Sequence, residues 1–230
     1  FLGKQNQFAD ASKPVRIFVM GADEWRDEGE WPLKRAKETR YLLGSNGKAN
    51  GAAGDGLLTT AAAKSAPSDV YIYDPANPVP TTGGPLCCDG GHLAPGPQDQ
   101  QKVEARPDVL VYSTGPLEQD VEVTVAPDGT AINLTEGILR ARYREDTKGA
   151  PKPITPGEVY EYKIDLWSTS NVFLKGHRIR LEVSSSNFPR FDRNLNTGKD
   201  AATSAEMMKA TNTIYHDAQH PSALVLPVVE

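Results

Sequence analysis

His177-Arg-Ile-Arg-Leu-Glu-Val183 alternates without a break: Ile179, Leu181 and Val183 fall on one side, Arg178, Arg180 and Glu182 on the other. Successive side chains leave a β-strand on opposite faces, so this period of two predicts a strand with one buried and one wet face. Similar short runs fill the chain. They are Pro14–Met20, Val70–Tyr73, Val109–Tyr112, Val121–Thr124, Thr130–Leu134, Ile138–Tyr143, Val159–Leu166, Thr213–Tyr215 and Ala223–Leu226, most of them β-branched or aromatic. Turn signals fall between them: Asp74-Pro75, Asn77-Pro78, Pro127-Asp128-Gly129, Thr155-Pro156-Gly157 and Lys175-Gly176. Helical signal is confined to Glu30–Leu43 and Ala202–Ala210. Gly44–Ala66, rich in Gly, Ala, Ser and Asn, reads as a long surface excursion. Many short strands with Gly/Pro turns and few helices predict an all-β sandwich or jelly roll, without internal repeat.

Size and charge narrow the function. A chain of 230 residues with 38% hydrophobic content can bury about 70% of its unfolded surface, in one large or two small domains. A net charge of −5 without a basic patch argues against nucleic acid as a partner. The longest apolar run, Ala223–Val229, contains Pro227 and is far short of the about 20 residues of a membrane span, so no membrane partner is expected. Nothing at the N-terminus resembles a signal peptide, and the compartment stays open. Phe1 in place of Met suggests a portion of a longer chain.

The only two cysteines are adjacent, in Gly83-Gly-Pro-Leu-Cys87-Cys88-Asp-Gly-Gly91. Their Cα atoms are about 3.8 Å apart across a trans peptide, below the usual disulfide range of about 4.4–6.8 Å. Two cysteines are too few for a structural zinc site, and no histidine stands at finger spacing. No G-x-S-x-G elbow is present, and Gly44-Ser45-Asn46-Gly47 has the wrong spacing for one. There is no H-E-x-x-H; His216 and His220 in HDAQH are four apart, but Pro221 follows at once and the stretch reads as a polar turn. Asp23–Glu28 gathers four carboxylates around Trp25 and Arg26 and reads as a charged loop. Asn187–Asn194 reads as a loop in which Phe188 and Phe191 pack while Asp192 and the arginines lock it. The sequon at Asn133 falls in a predicted strand and carries no weight. No cofactor is implied.

Five segments in order resemble one family closely: PVRIFVMGADEWRDEGEWP from Pro14, DPANPVPTTGG from Asp74, VEARPDVLVYSTGPL from Val103, STSNVFLKGHRIRLEVSSSNFPRFDRNLNTG from Ser168, and HPSALVLPVV from His220. It is the cocaine esterase / X-prolyl dipeptidyl-peptidase (CocE/NonD) family of serine hydrolases, and the resemblance is to its C-terminal domain, over Pro14–Glu230. The resemblance implies a jelly-roll β-sandwich of galactose-binding-like type, with residues 1–13 as the tail of a preceding α/β-hydrolase domain. It places the catalytic serine, acid and histidine in that upstream domain, which becomes the expected partner. Small ester, amide or peptide substrates would be met through it. The family's GG-x-L-x-x stretch reaches toward the catalytic cleft. Carried over, Leu86, Cys87 and Cys88 either line the substrate pocket or fill the interface between domains. The glycines let the backbone turn sharply, and cysteine is small and apolar enough for a pocket wall.

One departure stands out. The resemblance implies two further strands between Val121–Thr124 and the turn at Pro127-Asp128-Gly129, where only Val125 and Ala126 stand. By that resemblance about two dozen residues are missing, and a sandwich short of a strand pair is expected to expose core and leave unpaired edges; either the deletion is real and the sheet closes up differently, or the sequence is an incomplete version of the protein. The rival to a non-catalytic domain of a serine hydrolase is a free-standing carbohydrate- or ligand-binding β-sandwich, for which Trp25, Trp31 and Trp167 are the available rim aromatics.

Overall fold

The computed structural model describes residues 12–61, 66–85, 93–121, 131–199 and 202–229. Among the described residues nine strands carry the fold: β1 Val15–Val19, β2 Glu24–Glu28, β3 Ala36–Gly44, β4 Gly56–Thr59, β5 Asp69–Tyr73, β6 Leu110–Ser113, β7 Arg180–Val183, β8 Ala210–Ile214 and β9 Ala223–Val229. One short helix, α1 Gln101–Glu104, precedes β6, and a single 3₁₀ turn spans Ala141–Tyr143. The fold is therefore nearly all β, as the sequence predicts. Among the described residues no helix is long and apolar enough to cross a membrane.

A five-stranded sheet runs β7-β6-β4-β3-β9, antiparallel except where β4 lies parallel to β6. Two antiparallel pairs, β1-β2 and β5-β8, complete the sheets. Tyr71 and Tyr73 of β5 share one buried cluster with Tyr41, Leu43, Leu58, Leu110, Tyr112 and Leu224 of the large sheet, so the layers pack as a sandwich. Leu110 and Tyr112 face that core, while Val109 and Val111 face a second cluster with Val79 and Val103. Both faces of β6 are covered, which is why its sequence is continuously apolar. Gly56 permits the parallel approach of β4, since a Cβ there would lie 2.0 Å from the Val111 carbonyl oxygen.

Several expectations are corrected. Glu30–Leu43 is not helical: helix-favouring Lys37, Glu38 and Arg40 lie in β3, held by a ladder to β9 from Ala36↔Val229 to Leu42↔Ala223. Pairing over that length outweighs local preference. The charged stretch Asp23–Glu28 is not a loop but mostly β2, because it sets complementary partners across from β1: Asp27 opposite Arg16 and Trp25 opposite Phe18. The excursion Gly44–Ala66 contains β4, and Ala202–Ala210 holds no helix. Ile138–Tyr143 and Val159–Leu166 form no strand in spite of their alternation. Val121 and Ile132 make isolated bridges, to Phe173 and Asp99; residues 122–130 lie outside the described residues.

Candidate functional site

The loop that begins at Gly83 is closed at a neck. Gly84 and Gly96 exchange two backbone hydrogen bonds, of 2.8 and 2.9 Å. Gly83 and Gly84 sit at φ +70° and +94°, where residues with a Cβ are strained. A Cβ on Gly83 would lie 2.5 Å from the Gly96 carbonyl oxygen, and one on Gly84 would lie 2.5 Å from Glu136 Oε1. Glu136 is ion-paired with Arg190 and accepts a 2.5 Å hydrogen bond from Asn187 Nδ2. Burial pulls the Arg190 guanidinium below its usual pKa. Thr81 donates its N–H to the Phe188 carbonyl (2.7 Å) and accepts from the Arg190 N–H at Oγ1 (3.2 Å).

The other side of the neck is tied by amides. Gln100 Nε2 lies 2.9 Å from the Thr82 carbonyl, 3.0 Å from that of Gln98 and 3.1 Å from Asn133 Oδ1. Asn133 Oδ1 also accepts the Gln98 N–H at 2.8 Å, so the side chain of the sequon is engaged in the fold. The neck joins the two ends of the segment that runs from Gly84 to Gly96. Leu86, Cys87 and Cys88 themselves lie outside the described residues.

A second constellation was not visible in the sequence. Ser45, Asp69, Tyr112 and His216, up to 171 positions apart, converge in the interior. Ser45 Oγ donates to Asp69 Oδ2 (2.7 Å), Tyr112 Oη donates to the same oxygen (2.7 Å), and the Ala49 N–H donates to Oδ1 (2.9 Å). His216 Nε2 stands 3.0 Å from Asp69 Oδ2 and 3.2 Å from Ser45 Oγ. A serine, a histidine and an aspartate in contact invite comparison with a hydrolytic triad. A triad uses opposite ring nitrogens for the acid and the nucleophile. Here one nitrogen meets both, Nδ1 has no partner, and Ser45 already donates to the carboxylate. Asp69 is 0% and His216 1% exposed, so no substrate reaches them. Burial and the hydrogen bond to Asp69 raise the pKa of Tyr112, which keeps its donor proton. The cluster is a polar tie between the ends of β3, β5, β6 and β8. Removing the acceptor would strand several buried donors, at about 1–3 kcal/mol each.

The remaining candidates resolve simply. The two histidines of HDAQH diverge: His216 points inward, while His220 lies against the Tyr215 ring and Asp217. Among the described residues no group of three or more His, Cys, Asp or Glu is placed to hold a metal. Glu28 is buried between Arg35 and Arg26, chiefly the Arg35 hydrogen bond holding its carboxyl below the ordinary range. Asp192 pairs with Arg140, and Arg193 lies over Phe188, so Asn187–Asn194 is locked as expected. Trp25, Trp31 and Trp167 are 67%, 43% and 82% exposed. Trp25 packs edge-on against the half-exposed Phe18 across the β1-β2 pair, with ring centroids 5.4 Å apart.

Comparison with known proteins then gives a consistent picture. The family described as the X-Pro dipeptidyl-peptidase C-terminal non-catalytic domain matches residues 6–124 and 123–225. The chain is 45% identical to the cocaine esterase of Rhodococcus sp. (strain MB1 Bresler) over 254 positions, covering 99% of this chain and 44% of that protein. It is 25% identical to a putative serine esterase of Mycobacterium bovis, of which it spans 37%. The fold matches the crystal structure of an aminopeptidase from a marine sediment archaeon (Thaumarchaeota) with a TM-score of 0.76 and 26% identity, over 94% of this chain and 40% of that one. It also matches an α-amino acid ester hydrolase with a TM-score of 0.75 at 24% identity, over 94% and 41%. The chain thus spans less than half the length of these relatives. An alignment of 254 positions over a chain of 230 residues leaves at least 24 positions filled only in the esterase. The family match divides at residues 123–124, beside the position at which the resemblance implies two further strands.

Proposed function

The chain belongs to the family of X-Pro dipeptidyl-peptidase C-terminal non-catalytic domains, and on that premise we propose that it completes the substrate pocket of an attached serine hydrolase domain and stabilises that domain. The observation that carries this reading is the neck: reciprocal Gly84–Gly96 hydrogen bonds, buttressed by Glu136 and Arg190, join the two ends of the segment that contains Leu86, Cys87 and Cys88. Leu86, Cys87 and Cys88 then stand as pocket wall on the segment that the neck closes. Residues 1–13 continue the preceding hydrolase domain, and residues 14–230 form the sandwich. The exposed Phe18–Trp25 pair, on the first hairpin after that boundary, is apolar surface suited to contact with it. In this reading the upstream serine attacks the carbonyl of an ester, amide or X-Pro peptide and forms an acyl-enzyme, with histidine and acid also upstream. The choice among these substrates lies in the hydrolase domain.

Fluorophosphonate labelling tests the division of labour. The 230-residue chain should take no label and turn over no aryl ester, while the longer polypeptide is labelled on one serine outside this chain. In the longer polypeptide, C87W and C88W should raise KM for bulky-acyl esters by about tenfold and leave acetyl esters nearly unchanged, as expected for a filled pocket wall. Label on a serine of this chain, or equal effects on both substrates, would refute the reading.

A further inference from the structure

Gly44-Ser45-Asn46-Gly47, which lacks the spacing of a nucleophile elbow, holds another reactive element, the dipeptide Asn-Gly. The backbone nitrogen that follows an asparagine can close on the side-chain carbonyl carbon to form a cyclic imide, and a glycine there leaves the approach unhindered. The dipeptide recurs at Asn50-Gly51, so the chain carries its own control. The two are held differently. Asn50 Nδ2 donates to the Val70 and Pro107 carbonyls, at 3.0 and 2.9 Å, and the Gly51 N–H donates to the Val109 carbonyl at 2.8 Å. Both the amide and the attacking nitrogen are tied there. Asn46 is exposed, and among the described residues its side chain makes no hydrogen bond. Gly47, at φ +79°, donates its N–H to Ser45 Oγ at 2.9 Å, and Ser45 Oγ in turn donates to Asp69 Oδ2 at 2.7 Å. Two hydrogen bonds in series thus lead from the nitrogen that must lose its proton to a buried carboxylate.

We infer that the chain modifies itself at Asn46, with Ser45 and Asp69 relaying the proton away from the Gly47 nitrogen as it attacks the Asn46 side-chain carbonyl carbon. Gly47 gives its amide proton to Ser45 Oγ while Ser45 passes its own to Asp69 Oδ2. The N–Cγ bond forms and the Cγ–Nδ2 bond breaks. The departing nitrogen takes a proton from water at the exposed face and leaves as ammonia, and Asp69 returns its proton through Ser45 to the hydroxide left behind. A second water opens the imide and restores the Gly47 N–H. Opening at Cγ gives aspartate; opening at the backbone carbonyl gives isoaspartate, with the chain rerouted through the side chain. Nothing is oxidised or reduced, and water is the co-reactant. The product adds a negative charge close to Asp55, whose Oδ2 already accepts the Asn46 N–H at 3.1 Å. Isoaspartate also lengthens the backbone between Ser45 and Gly47, which undoes their hydrogen bond and loosens the polar tie at Asp69. The reaction is therefore written once into each chain, at the expense of the relay that promotes it.

Peptide mapping by mass spectrometry, on the full polypeptide that carries this domain, follows both sites during incubation at neutral pH. Asn46 should convert about tenfold or more faster in the folded protein than in the same chain held in denaturant, because only the fold supplies the relay. Asn50 should show the reverse, about tenfold or more slower when folded, since its hydrogen bonds must break first. S45A removes the relay and should slow Asn46 by about tenfold or more, whereas a merely structural role for Ser45 would loosen the turn and speed the reaction. S45T keeps the hydroxyl and should keep the fast rate. The comparison of folded with denatured wild type decides the matter even where S45A fails to fold. An Asn46 that converts no faster in the folded protein than in denaturant overturns the inference, and so does a folded S45A that converts as fast as the wild type or faster.

Discussion

Glu182 lies on β7 against Glu104, whose carboxylate, 1% exposed, receives two hydrogen bonds from Arg180 Nη1 of 2.7 and 2.8 Å. Burial, and then the neighbouring charge and hydrogen bond of Glu104, push the Glu182 carboxyl up to about 8. In the unfolded chain it titrates near 4.5, so between those values the folded state keeps a proton that the unfolded state gives up. The contribution to stability is therefore full below pH 4.5 and is lost as pH rises to about 8. We expect the denaturation midpoint of the wild type to fall over that window relative to E182Q, by a difference that integrates to about one proton per chain. Parallel curves for the two proteins would exclude the protonated pair. Alternation in HRIRLEV correctly showed a strand but placed Arg180 and Glu182 in solvent. The cover comes from α1, 76 positions away, and a period of two reports which residues share a face without reporting what lies over that face. The tie of Ser45, Asp69, Tyr112 and His216 was hidden for the same reason: its members are brought together only by sheet order.

At the scale of elements, local pattern sufficed where one face of a strand is wet or where both are apolar. β1, β5, β6 and β9 were legible in this way. β2, β3 and β4 were not, because charged cross-strand pairs, a seven-residue ladder and a parallel neighbour decide them, and none of these is local. The neck lies between these cases: the glycines announced a sharp turn, while its partner Gly96 and the buttress at Glu136 did not appear in the motif. It yields a graded prediction. Gly96 is at φ +78° with open space where a Cβ would go, so Gly96→Ala bears only the backbone term, about 1 kcal/mol. Gly84→Ala adds a collision with Glu136 and Arg190 and should cost about 2–3 kcal/mol, read as a lower thermal midpoint of the domain. If the segment closed by the neck serves the pocket, Gly84→Ala also raises KM for bulky esters in the longer polypeptide. Equal losses of stability for the two variants would show that the buttress does not hold the loop.

For the whole molecule, the family resemblance foretold the sandwich, and it implies a further strand pair where only Val125 and Ala126 stand. The large sheet is closed by five paired strands, whereas the alternating runs at Ile138–Tyr143 and Val159–Leu166 stay irregular with Ile138, Val159, Ile164 and Trp167 turned to solvent. A strand forms where a neighbour accepts its peptide hydrogen bonds, so runs that lack such a neighbour stay irregular although their own sequences are suited to sheet. The argument runs in reverse. Grafting the two dozen residues of the Rhodococcus esterase that have no counterpart here between Val125 and Ala126 supplies the missing partners. Of Ile138, Val159, Ile164 and Trp167, three side chains are already about half buried while Trp167 is 82% exposed, so covering the four is worth about 1 kcal/mol or a little more each, near 4–5 kcal/mol together. For a domain of this size that corresponds to a rise of about 10 °C in Tm. The graft should also protect the amides of Val159–Ile164 from exchange. A graft that leaves those amides exchanging as before would show that the segment's irregularity has a cause other than the loss of its neighbours.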